Sequence, residues 1–463
     1  MFLRSKLTPA VLAGLLVAGC GGGSGSNTTP ITPIFPIIPI TPIIPTTSVP
    51  FSTLPKGSFS LALKRTGTGT LPGDKSIYIQ VVNQPCKNSS PCAPGDTTII
   101  TDVTLLPTKV TGGPNGDAIL GKVGQVQSNM PLTPFKLSDL INGNVILPGD
   151  AVYGGSRIYI SMGKPLQMKV NPTGDGYVQT DFNNSSDPNI SIPFDFVELA
   201  YDAKPNPAIP GNNTVAFGAN LSQVDQFGMP LAFTITGVSD TVLSRGMTLG
   251  LVGSSTGANT RDEIVQNYLN AVTTPFQGLA QTVDGEVVRI LAPYHVASFK
   301  PGGAYESFFN AYVDQIWTFY QNNPSTIYDQ PGNIGNKYDV SGNGTVLNVT
   351  RNGVALIPFE KPSTIDVFQN NGKLQPGGDN DKAFGALLSG ALNRHVAHQP
   401  QNWLVPASFY PGEPQHDYAK YWHQISLLNL AYGFGFDDTA NQSSVAILSP
   451  KEDISKFNVT IGW

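Results

Sequence analysis

Charge is scarce in this chain. Asp, Glu, Lys and Arg together make up 13% of the 463 residues, about half the share usual for a soluble domain. The net charge is -5 and no basic stripe stands out, which argues against nucleic acid as a partner, because phosphate binding calls for clustered Lys and Arg. Histidine and cysteine are also sparse, at 5 and 3 residues. There is no HExxH and no paired CxxC, so neither a metal nor a cofactor is expected. His395 and His398 stand three apart but read as an ordinary helix end. Long apolar runs are missing too. The stretch from Ala10 to Ala18 falls far short of the roughly 20 residues that a membrane span needs.

What is abundant is glycine, proline and small polar residues, with 49 Gly and 39 Pro. A neutral, polar surface of this kind suits an uncharged, hydroxyl-rich ligand such as carbohydrate. The chain opens MFLRSKLTPAVLAGLLVAGC, in which Arg4 and Lys6 precede the short apolar run, the pattern of an export signal. Val17, Ala18 and Gly19 before Cys20 resemble a bacterial lipobox, in which the cysteine is lipidated after cleavage; an ordinary secretory signal with a stray cysteine is the other reading. Either one exports the protein. Residues 21–50 form a Gly/Pro-rich tether. Its Pro30, Pro33, Pro36, Pro39, Pro42 and Pro45 recur every third residue and would line one edge of a polyproline II rod. Cys86 and Cys92, in PCKNSSPC, are close enough in sequence to close a local disulfide in an exported protein.

The remaining stretch of about 410 residues is long enough for two lobes. From Ser58 to about Gly250 short alternating runs are punctuated by Gly, Pro and Asn: SFSLAL, SIYIQVV, TTIITDVTLL, NVILPG, SRIYISMG, LQMKV, FDFVELAY, VAFGANL and LAFTITGV. Period two with frequent turn signals predicts a mainly β lobe, an antiparallel sandwich or barrel. The period then changes. TRDEIVQNYLNAVTTPFQGLA, GAYESFFNAYVDQIWTFYQNN, DKAFGALLSGALNRHVAHQ and HDYAKYWHQISLLNLAYGF carry helical spacing, with strands such as EVVRILAP and GTVLNVTRNGVALIPF between them. Strand pattern returns in SVAILSPKEDISKFNVTIGW. The expected organisation is a β lobe over 51–255 and 440–463 with a mixed α/β lobe, 256–439, inserted into it, and a wide cleft between the two for a long ligand.

Two acids interrupt apolar strand patterns. In FDFVELAYD, alternation puts Glu198 on one face with Phe194 and Phe196. Apolar surroundings favour a protonated carboxyl, the form a general acid needs. In ANLSQVDQFGMPL, Asp225 shares a strand face with Gln223, Leu221 and Phe227, a more polar setting that leaves it ionised. One proton donor and one base are the machinery of glycoside hydrolysis.

These stretches resemble glycoside hydrolase family 64, the laminaripentaose-producing β-1,3-glucanases, whose core is thaumatin-like. FVEL and ANLSQVDQFGMPL match its two carboxylate-bearing strands. SRIYISMGKPL, RILAPYH, YVDQIWTFY, KPSTIDVFQNNG, ALNR and DYAKYWH follow in the family's order. The resemblance implies a thaumatin-like β sandwich or barrel lobe and endo-acting, inverting hydrolysis of β-1,3-glucan without cofactor, with Glu198 as acid and Asp225 as base. Two departures stand beside the site: DAKPNPAIPGNNTVAFG lengthens the connection between the carboxylates, and Ala200 replaces a hydroxyl-bearing Thr. VFQNNG also lacks a cysteine common in relatives. Around the cleft, Asp366, Asn370, Asn393, Arg394, Asp417 and Tyr418 are candidates for sugar hydroxyl contacts, since such groups form paired hydrogen bonds. Trp403 and Trp422 are candidates for stacking on pyranose rings; Trp317 reads as core.

Two other readings compete. A thaumatin-like glucan-binding surface lipoprotein would keep the groove without turnover. GSSTG fits a nucleophile elbow around Ser255, but an antiparallel sheet before it speaks against an esterase. The expected assembly is a monomer, attached to a membrane only through its lipid.

Overall fold

The computed structural model describes residues 47–53, 58–66, 77–82, 108–111, 129, 131–132, 134–140, 143–147, 152–172, 177–202, 217–247, 260–448 and 454–463. Cys20, Cys86, Cys92, Ser255 and the long connection at 203–216 lie outside them. Two sheets face each other in the first lobe. One has six strands, ordered Ala446–Ile447, Gly218–Leu221, Phe194–Asp202, Val152–Met162, Ile77–Val82, Phe135–Lys136; the other has five, ordered Val242–Gly246, Leu231–Gly237, Ile454–Gly462, Phe59–Thr66, Asn144–Leu147. The inward-facing positions, among them Ile79, Ile158, Val197, Leu199, Leu61, Phe233 and Val459, form one continuous buried core. Alternation is thus read out directly, with one side chain in two inside the sandwich.

The outer face of the six-stranded sheet is not simply solvated. Tyr159, Phe194 and Phe196 pack there with Leu166, Met168 and Ile192 into a second, smaller cluster. This layer exists because the loop following Met162 folds back over the sheet. Its turns are closed by its own side chains: the Asp187 carboxylate accepts from Asp181 N and Asn189 N at 2.9 and 2.8 Å, the local bonding that makes Asp and Asn strong turn formers.

The mixed lobe has its own core, which includes Tyr268, Ile316, Trp317, Leu388 and Trp422. Its helices begin where the sequence offers caps. Thr260 accepts from Glu263 N while Glu263 returns to Thr260 N, opening Arg261–Ala271. Ser363 and Asp366 do the same for Thr364–Gln369, a helix that the sequence pattern had not suggested. Helices Asn310–Asn322, Asp379–Asn393 and Asp417–Ile425 coincide with three of the segments with helical spacing, the second beginning two residues ahead of its segment. His395 follows the end of the second of these, in a left-handed turn (φ 55°), with Nδ1 2.8 Å from Pro414 O. No described helix is long and apolar enough to cross a membrane.

Strand Ile454–Gly462 lies inside the five-stranded sheet, antiparallel to Leu231–Gly237 and parallel to Phe59–Thr66. The chain therefore returns to the first lobe after leaving the second. The short pair Gln226–Phe227 leads the other way, into the sheet of Glu286–Leu291, so residues 222–228 bridge the lobes.

Candidate active site

Strand register places Arg157, Glu198 and Asn220 side by side across three strands. Directly opposed residues point to the same face, here the outer one, because Val197 and Leu199 occupy the sandwich core. Arg157 Nε donates to Glu198 Oε1 at 2.7 Å, and Asn220 Nδ2 donates to Oε2 at 3.1 Å. The setting expected for Glu198 was apolar; the structure corrects this. A guanidinium sits against the carboxylate and over the Phe196 ring, 4.3 Å from its centroid. Arg157 Nη1 continues to Tyr159 OH, and Tyr159 OH lies 3.2 Å from Tyr177 OH. The Glu198 side chain keeps 15% of its surface open.

Asp225 does not lie in a strand, as alternation suggested, but on the bend between Gly218–Leu221 and Gln226–Phe227. Its main chain is fixed from the mixed lobe: Ala292 N donates to Asp225 O at 2.9 Å, Tyr418 OH donates to Gln223 O at 2.6 Å, and Gln223 N donates to Tyr432 O at 2.8 Å. Its side chain, 21% open, accepts from Tyr294 OH through Oδ1, and His295 Nε2 stands 3.4 Å from the same oxygen. Burial alone would raise this carboxyl. The His295 contact and charge, the Arg157 charge and the Tyr294 hydroxyl outweigh burial and hold it down, at about 2. His295, Arg157 and Tyr294, and not the strand neighbours expected from alternation, thus favour the ionised form of Asp225, and Oδ2 is left for another partner.

Arg157 connects the two carboxylates, since it is bonded to one and its charge acts on the other. A narrow crevice opens beside Asp225, lined also by Arg157, Gln226 and the rings of Tyr159, Phe182, Phe194 and Phe196; Glu198 is not part of its lining. His295 meets Phe182 edge to face, with centroids 4.9 Å apart. Among the described residues no group of three His, Cys, Asp or Glu can hold a metal ion.

The candidates for sugar contacts are placed elsewhere. Asn370 and Asn393 are fully buried; Asn393 Nδ2 donates to Val367 O and Ser389 O. Arg394 is spent on Asp437, at 2.8 Å, and on Thr439. Asp417 is buried and accepts from Thr273 N and Oγ1, while Tyr418, also buried, braces Gln223. Trp403 and Trp422 lie in the core, the latter stacked on Phe227 at 4.5 Å. For these residues the expectation of sugar contact is corrected, because all of them are buried; Asn393, Arg394, Asp417 and Tyr418 spend polar atoms on the fold, whereas the side-chain amide of Asn370 is enclosed without a partner among the described residues. Asp366 caps its own helix, accepting from Ser363 N at 3.0 Å, and lines a separate surface groove of the mixed lobe. Sequence reading missed Arg157, Tyr294 and His295. All three lie in the quoted stretches SRIYISMG and RILAPYH, where a lone Arg within a strand pattern was the available signal.

The family model for β-1,3-glucanase, glycoside hydrolase family 64, matches residues 141–456. A glucan endo-1,3-β-glucosidase of Cellulosimicrobium cellulans is 25% identical over 303 residues, covering 62% of this chain and 49% of that protein; the chain spans about half the length of the curated relatives it matches. The crystal structure of a family 64 β-1,3-glucanase domain from Clostridium beijerinckii superposes with a TM-score of 0.67 at 27% identity, covering 89% of this chain and 99% of that one. The laminaripentaose-producing β-1,3-glucanase of Paenibacillus barengoltzii, in complex with laminarihexaose, gives a TM-score of 0.57 at 25% identity over 90% of this chain and 78% of its own.

Proposed function

Because the chain belongs to the family 64 glycoside hydrolases, the β-1,3-glucanases, we propose that it cleaves β-1,3-glucan at internal bonds by inversion, with Asp225 as general base and Glu198 as general acid. The observation that carries this reading is the division of the Asp225 carboxylate. One oxygen is held by Tyr294 and His295, and the other is left to take a proton from water beside the crevice. Water attacks the anomeric carbon, its proton passes to Asp225, the glycosidic carbon–oxygen bond breaks, and Glu198 delivers a proton to the leaving oxygen. The acid role requires Glu198 to carry that proton in the substrate complex, so the Arg157 Nε contact at Oε1 is expected to yield to the glycosidic oxygen.

Incubation of the purified protein with linear β-1,3-glucan between about pH 4 and 8 tests the reading; absence of released oligosaccharides sinks it. The roles separate on leaving-group chemistry. Glu198→Gln should lose turnover of glucan yet retain turnover of a dinitrophenyl β-laminaribioside, whose leaving group needs no acid, whereas Asp225→Asn should lose both. Proton NMR should show the α anomer first.

The Arg157 contact on Glu198 gives a specific reason to keep a second reading, a thaumatin-like protein that binds glucan without turnover. Both readings call for binding to insoluble β-1,3-glucan, and only the enzyme releases product. We also propose that the protein is an exported monomer anchored through a lipidated Cys20. Cys20→Ser should move it from the membrane to the soluble fraction, and sedimentation of the released form should give a single-chain mass.

A further inference from the structure

Asp195 is a buried acid beside the site that the chemistry above does not use. It precedes Glu198 by three residues in the same strand, points to the opposite face and is 2% exposed. Its Oδ2 accepts from Gly228 N at 2.9 Å and Met229 N at 3.4 Å, and its Oδ1 from Phe196 N at 2.9 Å. Gln226 Nε2 adds a bond to Phe194 O at 2.8 Å. The segment that begins at Asp225 is thus pressed onto the start of the Glu198 strand. The fit leaves no slack, because a Cβ on Gly228 would stand 1.8 Å from Phe194 O.

We propose that Asp195 is a positioning residue: with Gly228 it forms a clamp that fixes the separation between the Glu198 and Asp225 carboxyl groups. The proposal rests on the two-carboxylate reading given above. Three features single out Asp195 from an ordinary buried polar group. It joins the two segments that carry the carboxylates, which no other described side chain does through two consecutive backbone N–H groups. Among the described residues, the side-chain hydrogen bonds between this segment and the strand end are those of Asp195 and Gln226. And the carboxyl is retained in the sandwich at a cost: burial raises it to about 7, against the pull of its three N–H donors. An apolar side chain would satisfy packing alone.

Displacement of a reacting group by about 1 Å is enough to lower turnover about a hundredfold. Asp195→Leu, which keeps the volume and removes the acceptors, should therefore lower kcat on β-1,3-glucan about a hundredfold with KM unchanged. Asp195→Asn, which keeps one acceptor oxygen for Gly228 and Met229, should recover most of the loss. Gly228→Ala attacks the clamp from the other side and should reproduce the Asp195→Leu signature with Asp195 intact. Crystal structures of the three variants supply a readout that does not depend on turnover: Asp225 should shift relative to Glu198 in Asp195→Leu and Gly228→Ala and stay in place in Asp195→Asn. Should Asp195→Leu fail to fold, Gly228→Ala and Asp195→Asn carry the same comparison. An unmoved Asp225 in Gly228→Ala, or equal kinetic loss in the Leu and Asn variants, overturns the clamp. An inactive native protein whose Asp225 nevertheless shifts in Gly228→Ala overturns the hydrolase reading and leaves the clamp standing.

Discussion

Glu198 and Asp225 are held by opposite means. Glu198 belongs to a regular sheet, and its partners Arg157 and Asn220 are its cross-strand neighbours; strand register alone brings them together. Asp225 sits on a bend, and its partners Tyr294 and His295 come from 69 and 70 residues away, in the other lobe. One carboxylate is therefore as secure as the sandwich, and the other is only as secure as the seam between the lobes. The pair can be disturbed one member at a time.

The largest effect is expected from Asp437, which lies fully buried in the mixed lobe between Arg394 and His423, each 2.8 Å away. Burial would raise its carboxyl, but His423 and Arg394 hold it below its ordinary range. Asp437→Ala leaves a buried guanidinium unpaired and should destabilise by about 3–5 kcal/mol. Through Tyr418 and Tyr432, whose contacts hold Gln223, the loss should reach Asp225 before Glu198. Chemical denaturation followed by fluorescence and by hydrogen exchange on residues 194–202 would check this, and early exchange in that strand would contradict it.

Next is Arg157→Met, which attacks the other side. Its partner Glu198 is mostly buried, so a loss of about 3 kcal/mol is expected in urea unfolding. This substitution also removes a charge that depresses Asp225. His295→Ala removes a larger part of that depression without touching Glu198. The acid limb of the rate profile should then move to higher pH in His295→Ala, with the substrate KM unchanged; an unmoved limb would detach His295 from the base.

The stability of the whole protein should carry two opposed signatures. Asp225 is lowered from 3.8 to about 2, so its contribution is complete above pH 4 and is lost as pH falls through 2. Asp195 is raised from 3.8 to about 7, so its contribution is complete below pH 4 and is lost as pH rises through 7. Thermal unfolding of Asp195→Asn should therefore show a shallower decline between pH 4 and 7 than the native protein. The smallest expected effect is that of Asp366→Ala, about 1 kcal/mol from the lost helix cap with no change in KM; a raised KM would restore Asp366 to the sugar contacts.

The same contrast explains what the sequence made legible. Period two in FDFVELAYD reports a strand and the face of Glu198, because the information is local. ANLSQVDQFGMPL has the same look, yet its middle is a bend, because the pairing partner of Gln226 and Phe227 is Glu286–Leu291 and nothing nearby in sequence announces that. The helical segments were readable from their spacing, whereas Thr364–Gln369 is too short for spacing to show and is declared only by its Ser363 and Asp366 cap. Candidate sugar ligands were chosen for their chemistry, and that chemistry serves the fold equally well. Arg394, Asn393 and Asp417 meet backbone carbonyls, hydroxyls and a buried acid that no sequence pattern displays.

The position of Ile454–Gly462 bears on how the molecule is made. This strand is internal to its sheet, with the first described long strand, Phe59–Thr66, on one side and Leu231–Gly237 on the other. During synthesis Leu231–Gly237 and Phe59–Thr66 keep an open slot between them until residues 454–462 have left the ribosome. A chain stopped before Ile454 would keep every side chain of the candidate site and still lack the strand that zips the sandwich shut.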